Sequence, residues 1–223
     1  MRVFCRILLS LIVLCVSATV AFASSVVSTG LAGVGNPEGN WKAFLSTDLS
    51  TSLTLTAVSN ECCFGGVWYN SPGPANWITP YPNSNNLAAN DPNANAQDAE
   101  YFYKLAFDNP NQDLTIHWSS DNDAAFFLNN ELLARSNATQ TDYNHLITFT
   151  ILAGDFLSGS NTFTVDLFNR AFANPPGNPT GLIVDVQTVP LPAALPLFVS
   201  GLAGLGWLVA GAVKPLTHNR LST

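Results

Sequence analysis

Basic charge is scarce between residues 24 and 192. Only Lys42, Lys104, Arg135 and Arg170 stand there against all 15 acidic residues of the chain, four minus 15, a net charge of −11. A surface of that sign repels nucleic acid and anionic lipid head groups, so neither is an expected partner. Cysteine is equally thin. Of the four, Cys5 and Cys15 lie near the N-terminus and the other two are adjacent, Cys62-Cys63. Neighbouring cysteines bridge each other only through a strained ring, which leaves a vicinal disulfide, two free thiols or intermolecular pairing open. No C-x-x-C, second pair or nearby histidine accompanies them, which argues against zinc and leaves the fold to stand on its core. Histidine is nearly absent from this middle segment too, with His117 and His145 alone and no G-x-S-x-G or H-E-x-x-H beside them. The sequence therefore predicts a non-enzyme. The plentiful carboxylates keep one alternative, a small secreted glycan hydrolase working through an Asp/Glu pair.

What the middle lacks in hydrophobic runs, the two ends supply. Arg2 and Arg6 precede the apolar stretch Ile7 to Val20, and Ala21-Phe22-Ala23 fits a small-x-small cleavage site before Ser24. Residues 1–23 thus read as a secretory signal peptide. Leu14 stands before Cys15 where a lipobox needs a small residue, which argues against lipidation. At the other end, Ala193 to Val213 runs 21 residues without a charge. As a helix it would reach roughly 31 Å, the thickness of a bilayer hydrocarbon core. Pro192 and Pro196 sit at its start, where a missing backbone donor costs little. Lys214, His218 and Arg220 follow it and place the C-terminus in the cytoplasm. The expected organisation is a signal peptide (1–23), an exported domain (24–188) and a C-terminal membrane segment (189–223) with the helix at 193–213. It implies the general secretion machinery and the inner membrane as partners, with the domain on the periplasmic side.

The exported domain has the texture of β-structure. Apolar residues alternate with Thr, His and Asp in Leu53 to Val58, Leu114 to Trp118, Ile147 to Ile151 and Phe163 to Leu167, the period-two pattern of half-buried strands. Tyr101 to Phe107, Ala124 to Leu128 and Gly181 to Val186 add three more. Asn109-Pro110-Asn111, Ser158 to Asn161 and Asn174 to Gly177 are turn signals, and Leu128-Asn129-Asn130-Glu131-Leu132 reads as a two-residue hairpin. The fold class predicted is mainly β, an antiparallel jelly-roll β-sandwich. Pro72 to Asp98 is read as one long loop, rich in Pro, Asn and Ala, of the length that is usually functional or mobile.

Several local strings, in order, carry a resemblance: Trp77-Ile78-Thr79-Pro80, Tyr101-Phe102-Tyr103, Ser120-Asp121-Asn122-Asp123, Phe127-Leu128-Asn129-Asn130, Gly159 to Phe163, Asn169, and Pro179-Thr180-Gly181-Leu182. Together they resemble the galactose-binding-like jelly roll of exported bacterial surface proteins, with Asn130 where that family usually has glycine. The C-terminal Val189-Pro190-Leu191-Pro192-Ala193, followed by an apolar helix and basic residues, resembles the PEP-CTERM sorting signal, in the variant with Leu where Glu stands in Pro-Glu-Pro. The tail departs from that family in length and in the spread of its basic residues. The resemblance implies an exosortase, a membrane cysteine protease, as processing partner, exopolysaccharide as a neighbour, and a final place at the cell surface or in the extracellular matrix. A permanently anchored periplasmic protein is the alternative if the helix stays.

Two groups of residues carry the candidate chemistry. Trp68, Tyr69 and Trp77 crowd a Gly/Pro-rich region, and such rings stack on the apolar faces of sugars, giving a glycan-binding expectation. Burial in the core is the competing reading for Trp41, Trp77 and Trp118. Asp121 and Asp123, flanking Asn122, offer oxygen ligands for calcium; the same side chains would equally serve to cap the loop backbone. Calcium is the one cofactor entertained.

Overall fold

The computed structural model describes residues 26–62, 66–85, 87–88, 91–94, 97–136, 142–171 and 178–189. The chain divides into two units, Met1–Thr188 and Val189–Thr223, and of the second only Val189 is described. The signal peptide at 1–23, the sorting motif beyond Val189 and the apolar segment at 193–213 therefore lie outside the described residues. Among those described, no helix is long and apolar enough to cross a membrane.

Among its described residues the first unit has thirteen strands. In chain order these begin with β1 (Lys42–Leu45), β2 (Asp48–Leu53), β3 (Thr56–Val58), β4 (Glu61–Cys62) and β5 (Gly66–Val67). Next come β6 (Trp77–Thr79), β7 (Ala99–Asp108), β8 (Leu114–Asp121) and β9 (Asp123–Leu128). The last are β10 (Glu131–Arg135), β11 (Ile147–Ile151), β12 (Ser160–Asn169) and β13 (Gly181–Thr188). Asp142–Asn144 and Ala153–Asp155 form single 3-10 turns, and no α-helix occurs among the described residues. One sheet runs β10-β9-β12-β7-β1-β2, the other β11-β8-β13-β6-β3, with β4 and β5 as a separate small ribbon. Every pairing is antiparallel.

The period-two residues of the sequence become the filling between the sheets. Leu114, Ile116 and Trp118 of β8 meet Phe163, Val165 and Leu167 of β12 and Ala124, Phe126 and Leu128 of β9 in one buried cluster. Phe126 is its hub, with ring centroids 5.5 Å from Trp118, 5.4 Å from Phe149 and 5.2 Å from Phe163. These are edge-on contacts in which the positive rim of one ring meets the face of the next. The protein is thus a β-sandwich, as the alternation required. The predicted hairpin is present as well: Asn129 and Asn130 both take positive φ, 50° and 71°, the conformation a tight two-residue turn needs and asparagine tolerates. Asn129 is further fixed by its side chain, which donates to Asn161 Oδ1 at 2.8 Å and accepts from the Thr162 amide at 2.9 Å.

Two readings of the sequence need correction. Leu53 to Val58 is not one strand. The chain leaves the six-stranded sheet after Leu53 and enters the five-stranded sheet at Thr56, with Leu55 buried at the crossing. Nor is Pro72 to Asp98 a single structureless loop, since Trp77–Thr79 within it pairs with β3 and β13. In both cases the deciding hydrogen bonds come from strands distant in sequence, which a local pattern does not carry.

Candidate binding cleft on the outer face of the six-stranded sheet

The aromatic group of the sequence reading divides on folding. Trp68 and Trp77 are each 1% exposed, and with Val58, Ala75, Ala88 and Ile183 they form a satellite core. Their rings lie 4.2 Å apart with planes tilted by 32°. Trp77 Nε1 donates to Tyr69 O at 2.8 Å and Trp68 Nε1 to Asp121 Oδ2 at 3.0 Å. Gly181 is required beneath this ring, because a Cβ there would lie 2.6 Å from the Trp68 Cη2 atom. Both indoles are occupied inside the protein, and Tyr69, 41% exposed, is the member of the trio that keeps an open ring. Trp41 and Trp118 sit in the main core. His117, on the wetter side of β8 as its alternation implied, has Nδ1 2.8 Å from Thr148 Oγ1.

The acidic pair divides too. Asp121 accepts from Trp68 Nε1 on one oxygen and from Asn122 Nδ2 on the other, at 2.7 Å. Burial pushes its carboxyl up to about 7, and the Trp68 hydrogen bond offsets only part of that rise. Asp123 instead forms an ion pair with Arg170. The two aspartates thus turn to different partners, and among the described residues no group of three or more His, Cys, Asp or Glu side chains is placed to hold a metal ion. Asn122, between them, accepts from the Arg170 amide at 2.9 Å and so ties the β8–β9 junction to the end of β12.

Sheet register then builds a site the sequence reading did not single out. Ala125 of β9 lies directly opposite Arg135 of β10 on one side and Asp166 of β12 on the other. In the next row Phe168 lies between Asp123 and Glu100. All point away from the main core, since their strand neighbours Ala124, Leu167 and Tyr101 point into it. Ala125 is too small to fill its place between the larger side chains of Arg135 and Asp166. The result is a cleft of about 390 Å³ lined by Asp98, Asp123, Ala124, Ala125, Arg135, Ser136, Asp166, Phe168 and Arg170. Asp98 also borders a second hollow of about 400 Å³ that includes Asn93, Gln97 and Glu100, so the polar track continues past one pocket.

Three features of the cleft matter chemically. Phe168 is 40% exposed, an aromatic ring open to solvent among charged groups. Asp123 Oδ1 and Asp166 Oδ1 are buried oxygens with no hydrogen-bond partner, although buried acceptors normally find one. The Asp166 carboxyl is pushed up to about 6, first by burial and then by the neighbouring Glu100, with Arg135 pulling the other way. An exposed ring beside carboxylates and guanidiniums suits a ligand with one apolar face and a rim of hydrogen-bond donors. The signal in the sequence was faint: an outward Phe168 two residues after an outward Asp166 in a strand whose inward residues are all apolar or Asn.

No protein-family model matches this sequence, and no curated protein matches it. Among solved structures, a β-glucosidase from Kluyveromyces marxianus in complex with glucose aligns over 75% of this chain and 19% of its own, at 12% identity and a TM-score of 0.38. A GH31 α-xylosidase from Xanthomonas citri aligns over 70% of this chain and 14% of its own, at 14% identity and a TM-score of 0.35. The chain spans less than a fifth of the length of either enzyme.

Proposed function

We propose that this chain is an exported, non-catalytic surface or matrix protein whose jelly-roll module binds glycan, exopolysaccharide included, in the cleft between Arg135 and Phe168. The observation that supports this reading is the pairing of an exposed Phe168 ring with two partnerless carboxylate oxygens in one hollow. A pyranose presents a flat C–H face to the first and hydroxyl donors to the second. The signal peptide and the PEP-CTERM-like segment then deliver the module. Its residues Val189, Pro190, Leu191, Pro192 and Ala193 hold the exosortase cleavage region outside the inner membrane, and processing there releases the domain to the surface.

Affinity electrophoresis of the full-length protein through gels cast with neutral, acidic and amine-bearing polysaccharides tests the binding. Retardation by at least one glycan is expected, weakened about tenfold in Phe168→Ala, the loss that ~1.4 kcal/mol of stacking implies. Retardation unchanged in that variant removes the cleft from consideration, and release of reducing ends during the run favours the hydrolase alternative. Intact-mass analysis of membrane and medium fractions tests delivery. A released species starting at Ser24 and ending between Val189 and Ala193 is expected; a chain ending at Thr223 and confined to membranes would mean permanent anchorage.

A further inference from the structure

The cleft carries an imbalance that a neutral sugar would leave standing. Asp98, Asp123 and Asp166 line it and Glu100 adjoins Asp166, against the two guanidiniums of Arg135 and Arg170. With every carboxyl ionised, the excess is two negative charges. Arg170 is already committed to Asp123 through Oδ2, yet the other oxygen of that carboxylate, on a residue only 8% exposed, has no partner. Asp166 Oδ1 also lacks a partner, on a half-buried residue two strand positions from Phe168 whose carboxyl hydrogen-bonds that of Glu100. A buried carboxylate oxygen left without a donor costs free energy that a suitable ligand can relieve.

A ligand that relieves this needs donors, positive charge and no surplus of acceptors. A hydroxyl supplies a donor without charge. A divalent cation needs several oxygen ligands at once, and the described residues offer it no set of three. An ammonium group has three donors and no acceptor. Carried on a pyranose, it is held rigidly at the edge of a flat apolar face, and the Phe168 ring supplies the surface for that face. We infer that the cleft selects an amine-bearing glycan, of the glucosamine type found in deacetylated polysaccharide, with the ammonium seated against the Asp123 and Asp166 carboxyls that line it. This rests on the glycan-binding reading and names its ligand class.

The groups facing Asp166 fix the sign of the pH response. Burial first, and then Glu100 on β7, hold its carboxyl in the acid form at lower pH, while Arg135 on β10 opposes them; Asp123 on β9 stays paired with Arg170. Because an ammonium needs the ionised carboxylate, binding weakens as pH falls through about 6.

Titration calorimetry of the full-length protein with a glucosamine oligomer and with its N-acetylated counterpart tests the inference. The free-amine oligomer is expected to bind at least ~tenfold more tightly, and Asp123→Asn and Asp166→Asn are each expected to erase that preference. Asp108→Asn removes the same charge at an exposed site outside the cleft and is expected to keep it. Asp166 shares a hydrogen bond with the Glu100 carboxyl and takes no part in the Asp123–Arg170 ion pair, so its variant remains informative even if loss of that pair disturbs folding. Equal binding of both oligomers would overturn the amine preference while leaving the glycan site in place. Binding of neither would overturn both. Equal binding of an oligolysine peptide, unchanged by Phe168→Ala, would reduce the cleft to a nonspecific anionic patch.

Discussion

Trp68→Ala is expected to lower the stability of the domain by about 4 kcal/mol, and with it the melting temperature by roughly 10 °C. Against a typical total of roughly 5–15 kcal/mol, that is a large share. The reason lies in how many structures meet on one ring. Trp68 stacks on Trp77, seals Gly181 of β13 and hydrogen-bonds the end of β8 through Asp121. Its own amide donates to Asn60 O at 2.8 Å. Truncation would open a void over the outer face of the five-stranded sheet and strip Asp121 of a donor. Trp68→Phe separates these effects, since it keeps most of the ring and loses the N–H. The sign of its pH dependence follows from Asp121. The folded carboxyl titrates near 7, the unfolded one near ~3.9, so the native state holds an extra proton between those values. Stability is therefore highest below about pH 4 as far as this group is concerned, falls as pH rises, and levels off above about 7. Removing the indole donor takes away the interaction that holds Asp121 down, so the decline in Trp68→Phe should extend to higher pH. Chemical denaturation at several pH values measures both. A Trp68→Ala protein as stable as the parent would mean the satellite core contributes nothing.

That one ring shows why the candidate site was only partly legible in sequence. Trp68 and Tyr69 are adjacent and share their Gly/Pro-rich surroundings, yet one is sealed and the other open. What separates them is Asp121 and Gly181, both distant along the chain. The strands were a different matter. In Leu114 to Trp118 or Phe163 to Leu167 the alternation itself demands one buried and one wet face, and the sandwich follows once several such strands share turns. Leu53 to Val58 shows the limit of that logic, since the alternation runs unbroken through a point where the chain changes sheet. The cleft lies further out of reach. Arg135, Ala125 and Asp166 form a row only because β10, β9 and β12 pair in one particular register, and a slip of one residue would turn each to the other face.

Asp91 carries the second large expectation, and it concerns the segment that looked like a loop. Asp91 is fully buried. Its carboxylate accepts from the Tyr101 hydroxyl at 2.7 Å on both oxygens, from Asn169 Nδ2 at 2.9 Å and from the Asn93 amide at 2.9 Å. Burial first, then the neighbouring Tyr81 and Asp91, pushes the Tyr101 phenol far above its usual range, so it stays a donor at any working pH. The Asp91 amide in turn donates to Asn178 O at 2.7 Å, and Asn178 donates to Ala94 O and Arg170 O. One carboxylate therefore joins the 91–94 segment to β7 and to the end of β12. Asp91→Ala would leave three donors facing a void, at roughly 1–3 kcal/mol each less whatever water recovers, so a loss of about 3–6 kcal/mol is expected. Asp91→Asn keeps one acceptor but turns an amide N–H₂ toward donors, and should fall between. Tyr101→Phe removes a single donor and leaves the carboxylate two others, for about 1–2 kcal/mol. The ranking has a functional consequence, because Asn169 immediately precedes Arg170, which lines the cleft. Loosening Asp91 should weaken glycan retention together with stability, whereas Phe168→Ala should weaken retention alone. Melting curves and affinity electrophoresis on the same four variants decide it. If Asp91→Ala melted with the parent, the buried carboxylate would not be what holds this segment in place.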